Sequence, residues 1–164
     1  MNLEKHIDWR FVFVGLYFLA FLVYVAVGIG STAGAKQYDV ESELLVPAID
    51  LSSDVTRMEL EGRKLNTPDT IVGSYSNHDN KTLLIGHAST VFHDLNKVQA
   101  DDLVIYHDLM YKVVSIQTFR KDEINMNQLL EAEKVDTIVL MTCAGEDLGN
   151  GDATHRLILE AVRV

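Results

Sequence analysis

Cysteine is almost missing: Cys143 is the only one in 164 residues. That excludes an intramolecular disulfide framework and any zinc site built from several thiolates. Proline and glycine are scarce too, at 2 and 10 residues. The chain therefore lacks the composition of a low-complexity or disordered segment. Basic side chains are in deficit, with 14 Lys and Arg against 24 Asp and Glu and a formal net charge of −10. Binding to a phosphate backbone needs a basic face, so nucleic acid is a poor partner. The same deficit argues against attraction to anionic lipid heads except through an anchor. What remains is an apolar-rich chain, 48% hydrophobic, of a length that suits one domain.

Phe11 to Gly30 is a run of 20 residues without a charge. At about 1.5 Å per residue, such a helix matches the roughly 30 Å hydrocarbon core of a bilayer. Trp9 lies where an interfacial aromatic sits, and Lys5 and Arg10 before the run outnumber Lys36 behind it. This bias puts residues 1–10 in the cytoplasm and the rest outside the cell membrane. Ala33-Gly34-Ala35 offers a signal-peptidase-like site. A cleaved signal is the competing reading, but its apolar core is normally 7–15 residues. The expected organisation is a single-pass transmembrane anchor over 11–30, a polar stalk over 31–43 and an extracytoplasmic domain over 44–164. Residues 36–164 hold 12 basic and 22 acidic side chains, so the exported part carries the whole net charge.

Short apolar runs separated by polar breaks fill that domain. Leu44–Leu51 reads as a strand with Pro47 at an edge or bulge. Thr82–Ile85 reads as a short buried strand, and Leu103–His107 and Tyr111–Phe119 as a hairpin with its turn at Asp108–Met110. Phe92, Leu95 and Val98 make a helical stripe, and Met126–Glu133 reads as helix. Thr137–Cys143 is a continuous apolar, β-rich run, Gly145–Thr154 a polar loop, and Leu157–Val164 the last strand. Seven or eight short strands at regular spacing predict a mainly-β barrel or sandwich rather than βαβ units.

Three residues could carry chemistry. Cys143 ends a core strand, where a side chain is presented at a barrel mouth; its position leaves nucleophile and packing residue in balance. His87 also ends a buried strand, behind Gly86, and alone reads as a surface histidine. Arg156 follows an acidic loop and alone reads as a charge partner for Glu146, Asp147 or Asp152. Together they make one site. A thiolate attacks, an imidazole manages the proton, and a guanidinium fork binds a developing oxyanion. His78 and His107 fall in loops and read as solvated.

At these residues the sequence resembles the sortases, membrane-anchored cysteine transpeptidases of bacterial surfaces. Leu45–Asp50 resembles their opening strand, and Thr82–Ser89 (TLLIGHAS) their catalytic-histidine segment. Val91–Leu95 is similar to their Phe-x-x-Leu helix, Val139–Cys143 to their Thr-Cys strand end, and His155–Leu159 to their arginine strand. The resemblance implies a closed eight-stranded β-barrel with short helices. It implies cleavage of a C-terminal sorting signal of Leu-Pro-x-Thr-Gly type by Cys143, with a thioester intermediate. His87 would serve as acid and base and Arg156 as oxyanion donor. The acyl group would pass to an amine of the cell wall or of a surface protein such as a pilin. Ala100-Asp101-Asp102 stands where the family usually has Gly-Asp, and residues 77–81 lack its usual Pro and Gly.

Some relatives bind calcium, and Glu59, Glu61, Asp122 and Glu123 are candidate ligands. Calcium needs six to eight converging oxygens, so a solvated acidic surface is the better reading and no cofactor is expected. An L,D-type transpeptidase fits poorly, since its cysteine and arginine stand almost side by side. A thiol hydrolase on the same scaffold and an inactive, anchored peptide-binding barrel are the remaining alternatives.

Overall fold

The computed structural model describes residues 38–61, 64–78, 80–149 and 152–164. Residues 1–10, the apolar run 11–30 and residues 31–37 lie outside these. Among the described residues no helix is long and apolar enough to cross a membrane.

Ten strands form among the described residues. They are β1 (Val40–Val46), β2 (Leu51–Arg57), β3 (Leu60–Glu61), β4 (Lys64–Leu65), β5 (Val72–His78), β6 (Lys81–Ile85), β7 (Leu103–Tyr106), β8 (Leu109–Arg120), β9 (Thr137–Gly149) and β10 (Asp152–Arg163). Eight of them close into a barrel in the order β1-β2-β5-β6-β9-β10-β8-β7, while β3 and β4 form a separate two-stranded ribbon. Among the described residues helix is confined to one turn at Met126–Leu129 and to 3₁₀ turns at Pro47–Ile49, Leu95–Lys97 and Lys121–Glu123. The expected mainly-β, eight-stranded closed barrel is the fold.

Successive strand side chains point to opposite faces, and the two faces here have different partners. Leu44, Val55, Leu84, Leu140, Leu157 and Leu159 belong to the interior cluster, each at most 8% exposed. Burial of such a side chain stabilises by about 1.5–3 kcal/mol. Phe92, Leu95 and Val98 join this cluster and plug the barrel from the segment after β6. The alternate residues Leu83, Val139, Met141 and Ile158 face outward and are buried by a second layer. That layer is the crossover, residues 121–136. Because β10 lies between β8 and β9 in the barrel, the chain joining β8 to β9 has to pass over it. Ile124, Met126, Leu129 and Leu130 of the crossover pack on the outer face, together with Leu65 and Ile85. Lys81 Nζ, on β6, reaches Glu133 Oε1 at 3.1 Å and ties down the far end.

Several element boundaries differ from the sequence reading. Leu44–Leu51 is not one strand. Pro47 has no N–H to give a ladder and ends β1, a 3₁₀ turn follows, and Asp50 at φ 50° reverses the chain into β2. β1 already starts at Val40, within the segment read as stalk. The β7–β8 turn is His107-Asp108, with φ 51° and 60°, one residue earlier than expected. Left-handed residues at both positions match the twist of a two-residue hairpin. Helix in the crossover stops at Leu129, started by Asn125, whose Oδ1 accepts from Asn127 N–H at 3.1 Å.

Candidate active site

β9 does not stop at Cys143. It runs on to Gly149, and β10 starts at Asp152, so the segment read as a polar loop is mostly a two-stranded arm. Cys143 thus sits mid-strand, where its position is fixed by ladder hydrogen bonds. Its direct partner across the β9–β10 ladder is Arg156. Facing side chains of such a pair start about 4.5–5.5 Å apart at Cβ. Both share the outward face with Met141 and Ile158, their neighbours two residues on. On the other side of Arg156, across the β10–β8 ladder, is Phe119.

β6 runs parallel to β9, with Ile85 level with Met141. Two residues further along each strand stand His87 and Cys143. β6 ends at Ile85, but the register is carried on. Gly86 N–H donates to Met141 O at 3.3 Å, and Thr142 Oγ1 donates to Gly86 O at 2.8 Å. The backbone just before His87 is therefore pinned to the residues flanking Cys143. Glycine is required there because a Cβ would stand 2.5 Å from Val91 Cγ1 and 2.7 Å from Phe92 Cδ2. The His87 carbonyl accepts from Thr90 N–H at 3.2 Å and Phe92 N–H at 3.1 Å, so the chain turns away directly after it. His87 and Cys143 are both half-buried. The result is a row: Phe119, Arg156 and Cys143 on three neighbouring strands, with His87 just past the end of a fourth, β6.

Arg156 is 15% exposed and its guanidinium is already engaged. Nη1 donates to Ala153 O at 2.9 Å and His155 O at 2.8 Å, and Nη2 to Asp152 Oδ1 at 2.6 Å. The charge partner expected among Glu146, Asp147 and Asp152 is thus Asp152. Lys121 Nζ binds the other carboxylate oxygen of Asp152. These two cations, Lys121 first, hold the Asp152 carboxyl well below the usual carboxylate range. A cavity of about 540 Å³ opens between the crossover and the outer faces of β8 and β10; Phe119 lines it, while His87, Cys143 and Arg156 do not. Phe119, Gln117, Ile158 and Glu160 line its floor.

The other described histidines stand apart from the row. His78 and His107 are exposed. His93 Nε2 lies 3.0 Å from Asp94 Oδ1, and His155 Nδ1 lies 2.8 Å from Thr154 Oγ1, on the strand face opposite Arg156. Among the described residues no three His, Cys, Asp or Glu are grouped as metal ligands, and Asp122 is paired with Arg120 at 2.9 Å. Thr142 joins Gly86 across 56 positions of sequence. No local pattern signals that contact, which is why the sequence alone gave Thr142 no task.

Comparison with known proteins bears on the family and the fold. A family described as Sortase domain matches residues 44–164. Sortase C-1 of Actinomyces oris is similar in structure, with a TM-score of 0.58 at 22% identity over 76% of this chain and 72% of that one. Sortase A of Listeria monocytogenes gives 0.59 at 20% identity over 76% and 87%. Sortase C of Clostridium perfringens, solved with the C-terminal cell wall sorting motif, gives 0.57 at 21% identity over 77% and 71%. No curated protein matches the chain.

Proposed function

Because the chain belongs to the sortase family, whose members are cysteine transpeptidases, we propose that Cys143, His87 and Arg156 carry out a transpeptidation. The observation that carries the reading is the row itself. Cys143 and Arg156 are direct partners across one ladder, and His87 follows the end of β6, the parallel neighbour of β9.

Cys143, as thiolate, attacks the carbonyl carbon of the scissile peptide bond in a C-terminal sorting signal of Leu-Pro-x-Thr-Gly type. The carbonyl oxygen takes the negative charge, and donors of Arg156 stabilise it. The C–N bond breaks, His87 gives its proton to the departing amine, and a thioester remains on Cys143. An acceptor amine, from the cell wall or a surface protein, then attacks the thioester. His87 takes its proton, an amide forms, and the thiolate returns. Residues 11–30 anchor the chain in the cell membrane, with 44–164 on the outer side.

The test is intact-protein mass spectrometry of the full-length chain with a panel of sorting-signal peptides and a small amine. The expected result is an acyl adduct on Cys143, lost in Cys143→Ala, together with amine-linked product. An adduct that yields only the hydrolysed acid would make the chain a thiol hydrolase. No adduct with any peptide, and no labelling of Cys143 by a thiol reagent, would leave a peptide-binding barrel.

A further inference from the structure

An arginine that serves an oxyanion has to be aimed. A guanidinium on a flexible stem does not aim itself, and a misplacement of about 1 Å costs heavily in rate. Arg156 occupies an outward position of β10, with Phe119 as its partner across the ladder to β8. What fixes its head is a set of three acceptors, all earlier on the same strand: Ala153 O, His155 O and Asp152 Oδ1. Two are backbone carbonyls, present whatever the side chains are. The third is a choice the sequence makes. With both Nη1 hydrogens and one Nη2 hydrogen used, the Nε hydrogen and the second Nη2 hydrogen are left for a substrate.

Asp152 is itself held. Its Oδ1 accepts from Ala153 N–H at 2.9 Å, and its Oδ2 takes Lys121 Nζ. Lys121 opens the crossover, whose apolar residues cover the outer face of β6, β9 and β10. One carboxylate therefore touches both the arginine opposite Cys143 and the first residue of the crossover.

We propose that Asp152 is a positioning residue for Arg156, and that through Lys121 it links the placement of the crossover to the placement of the guanidinium. The proposal rests on the reading of Arg156 as oxyanion donor. Asp152 is 37% exposed and Lys121 51%. Pairs this exposed contribute little to folding, so the carboxylate can be altered with the barrel intact.

The experiment has two arms on the full-length chain, with Asp152→Ala, Asp152→Asn, Asp152→Glu and Lys121→Met. The first arm needs no substrate. Modification of Arg156 by phenylglyoxal is followed by peptide mass spectrometry, below the melting temperature of each variant. The Asp152→Ala and Asp152→Asn proteins are expected to be modified several-fold faster than the parent, and Asp152→Glu to return towards the parent rate. The second arm measures thioester formation. For Asp152→Asn, kcat is expected to fall about 10- to 100-fold, less than or equal to the loss of an oxyanion donor outright. Lys121→Met keeps the Asp152–Arg156 contact and is expected to alter KM more than kcat.

Faster modification of Arg156 in a chain that forms no adduct even as the parent would uphold the positioning role and sink the transpeptidase reading. Unchanged Arg156 modification in Asp152→Ala and Asp152→Asn overturns the proposal, whether or not activity or melting temperature falls. A Lys121→Met protein with parental KM and kcat removes the link to the crossover.

Discussion

At the scale of single residues, Tyr111 gives the barrel a pH dependence of its own. It is 3% exposed, and its hydroxyl donates to Asp136 Oδ2 at 3.1 Å. Burial first, and then the charge of Asp136, push its phenol up to about 12. In the unfolded chain it returns to about 10. Between these values the unfolded chain releases a proton that the fold retains. The contribution is whole below about pH 10 and is lost as pH rises towards about 12, on the order of 2–3 kcal/mol. Urea midpoints at pH 8 and pH 11 read about half of it, roughly 1.4 kcal/mol. The Tyr111→Phe protein is expected to lose less stability over that interval than the parent, although Tyr106, also raised by burial, adds a decline of its own to both. Equal declines in the two proteins would show that Tyr111 is not the source.

At the scale of elements, the site depends on the close passage of β6 against the segment after it. A Gly86→Ala methyl has no room between Val91 and Phe92, and overpacking of this kind costs about 1–3 kcal/mol. Because Gly86 also carries the two bonds to Met141 and Thr142, the substitution is expected to slow acylation of Cys143 as well as lower the melting temperature. A drop in Tm with acylation unchanged would separate His87 placement from this contact. Sequence pattern made some of these elements plain and concealed others. Apolar content alone marked β6 and the core of β9. The Phe92, Leu95, Val98 stripe was read as helix, and all three are buried, but spacing by three also suits turns and 3₁₀ geometry, which is what forms. The arm beyond Cys143 could not be read from apolar content, because Glu146, Asp147 and Leu148 are exposed, and what joins its strands is the pairing of Asp147 with Ala153 and Gly149 with Asp152. The ribbon of β3 and β4 is two residues per strand, too short for any period to register. Of the candidate site, the sequence names His87, Cys143 and Arg156 by their order, and register makes Cys143 and Arg156 partners although Cys143 stands mid-strand and not at a strand end. The supports, Thr142 on Gly86 and Asp152 with Lys121, arise from register and were not legible.

At the scale of the whole molecule, closure joins the start of the barrel to its middle and its middle to its end. Leu44 pairs with Tyr106, and β10 fills the place between β8 and β9. No strand of the eight is left with an open edge. Residues 38–164 form a compact unit by themselves. Expressed alone they are expected to unfold in one cooperative step, with far-UV and near-UV circular dichroism superimposed across a denaturant series. Two separated transitions would mean that the sheet opens in parts. The alternation along β9 and β10 has a wider meaning. Residues that build the interior and residues that face outward occupy alternate places on the same two strands. Evolution, or an engineer, can rewrite an uncovered outward place such as Glu160 in a new dialect, while Val139, Met141 and Ile158 stay apolar under the crossover and the inward places go on spelling the same barrel.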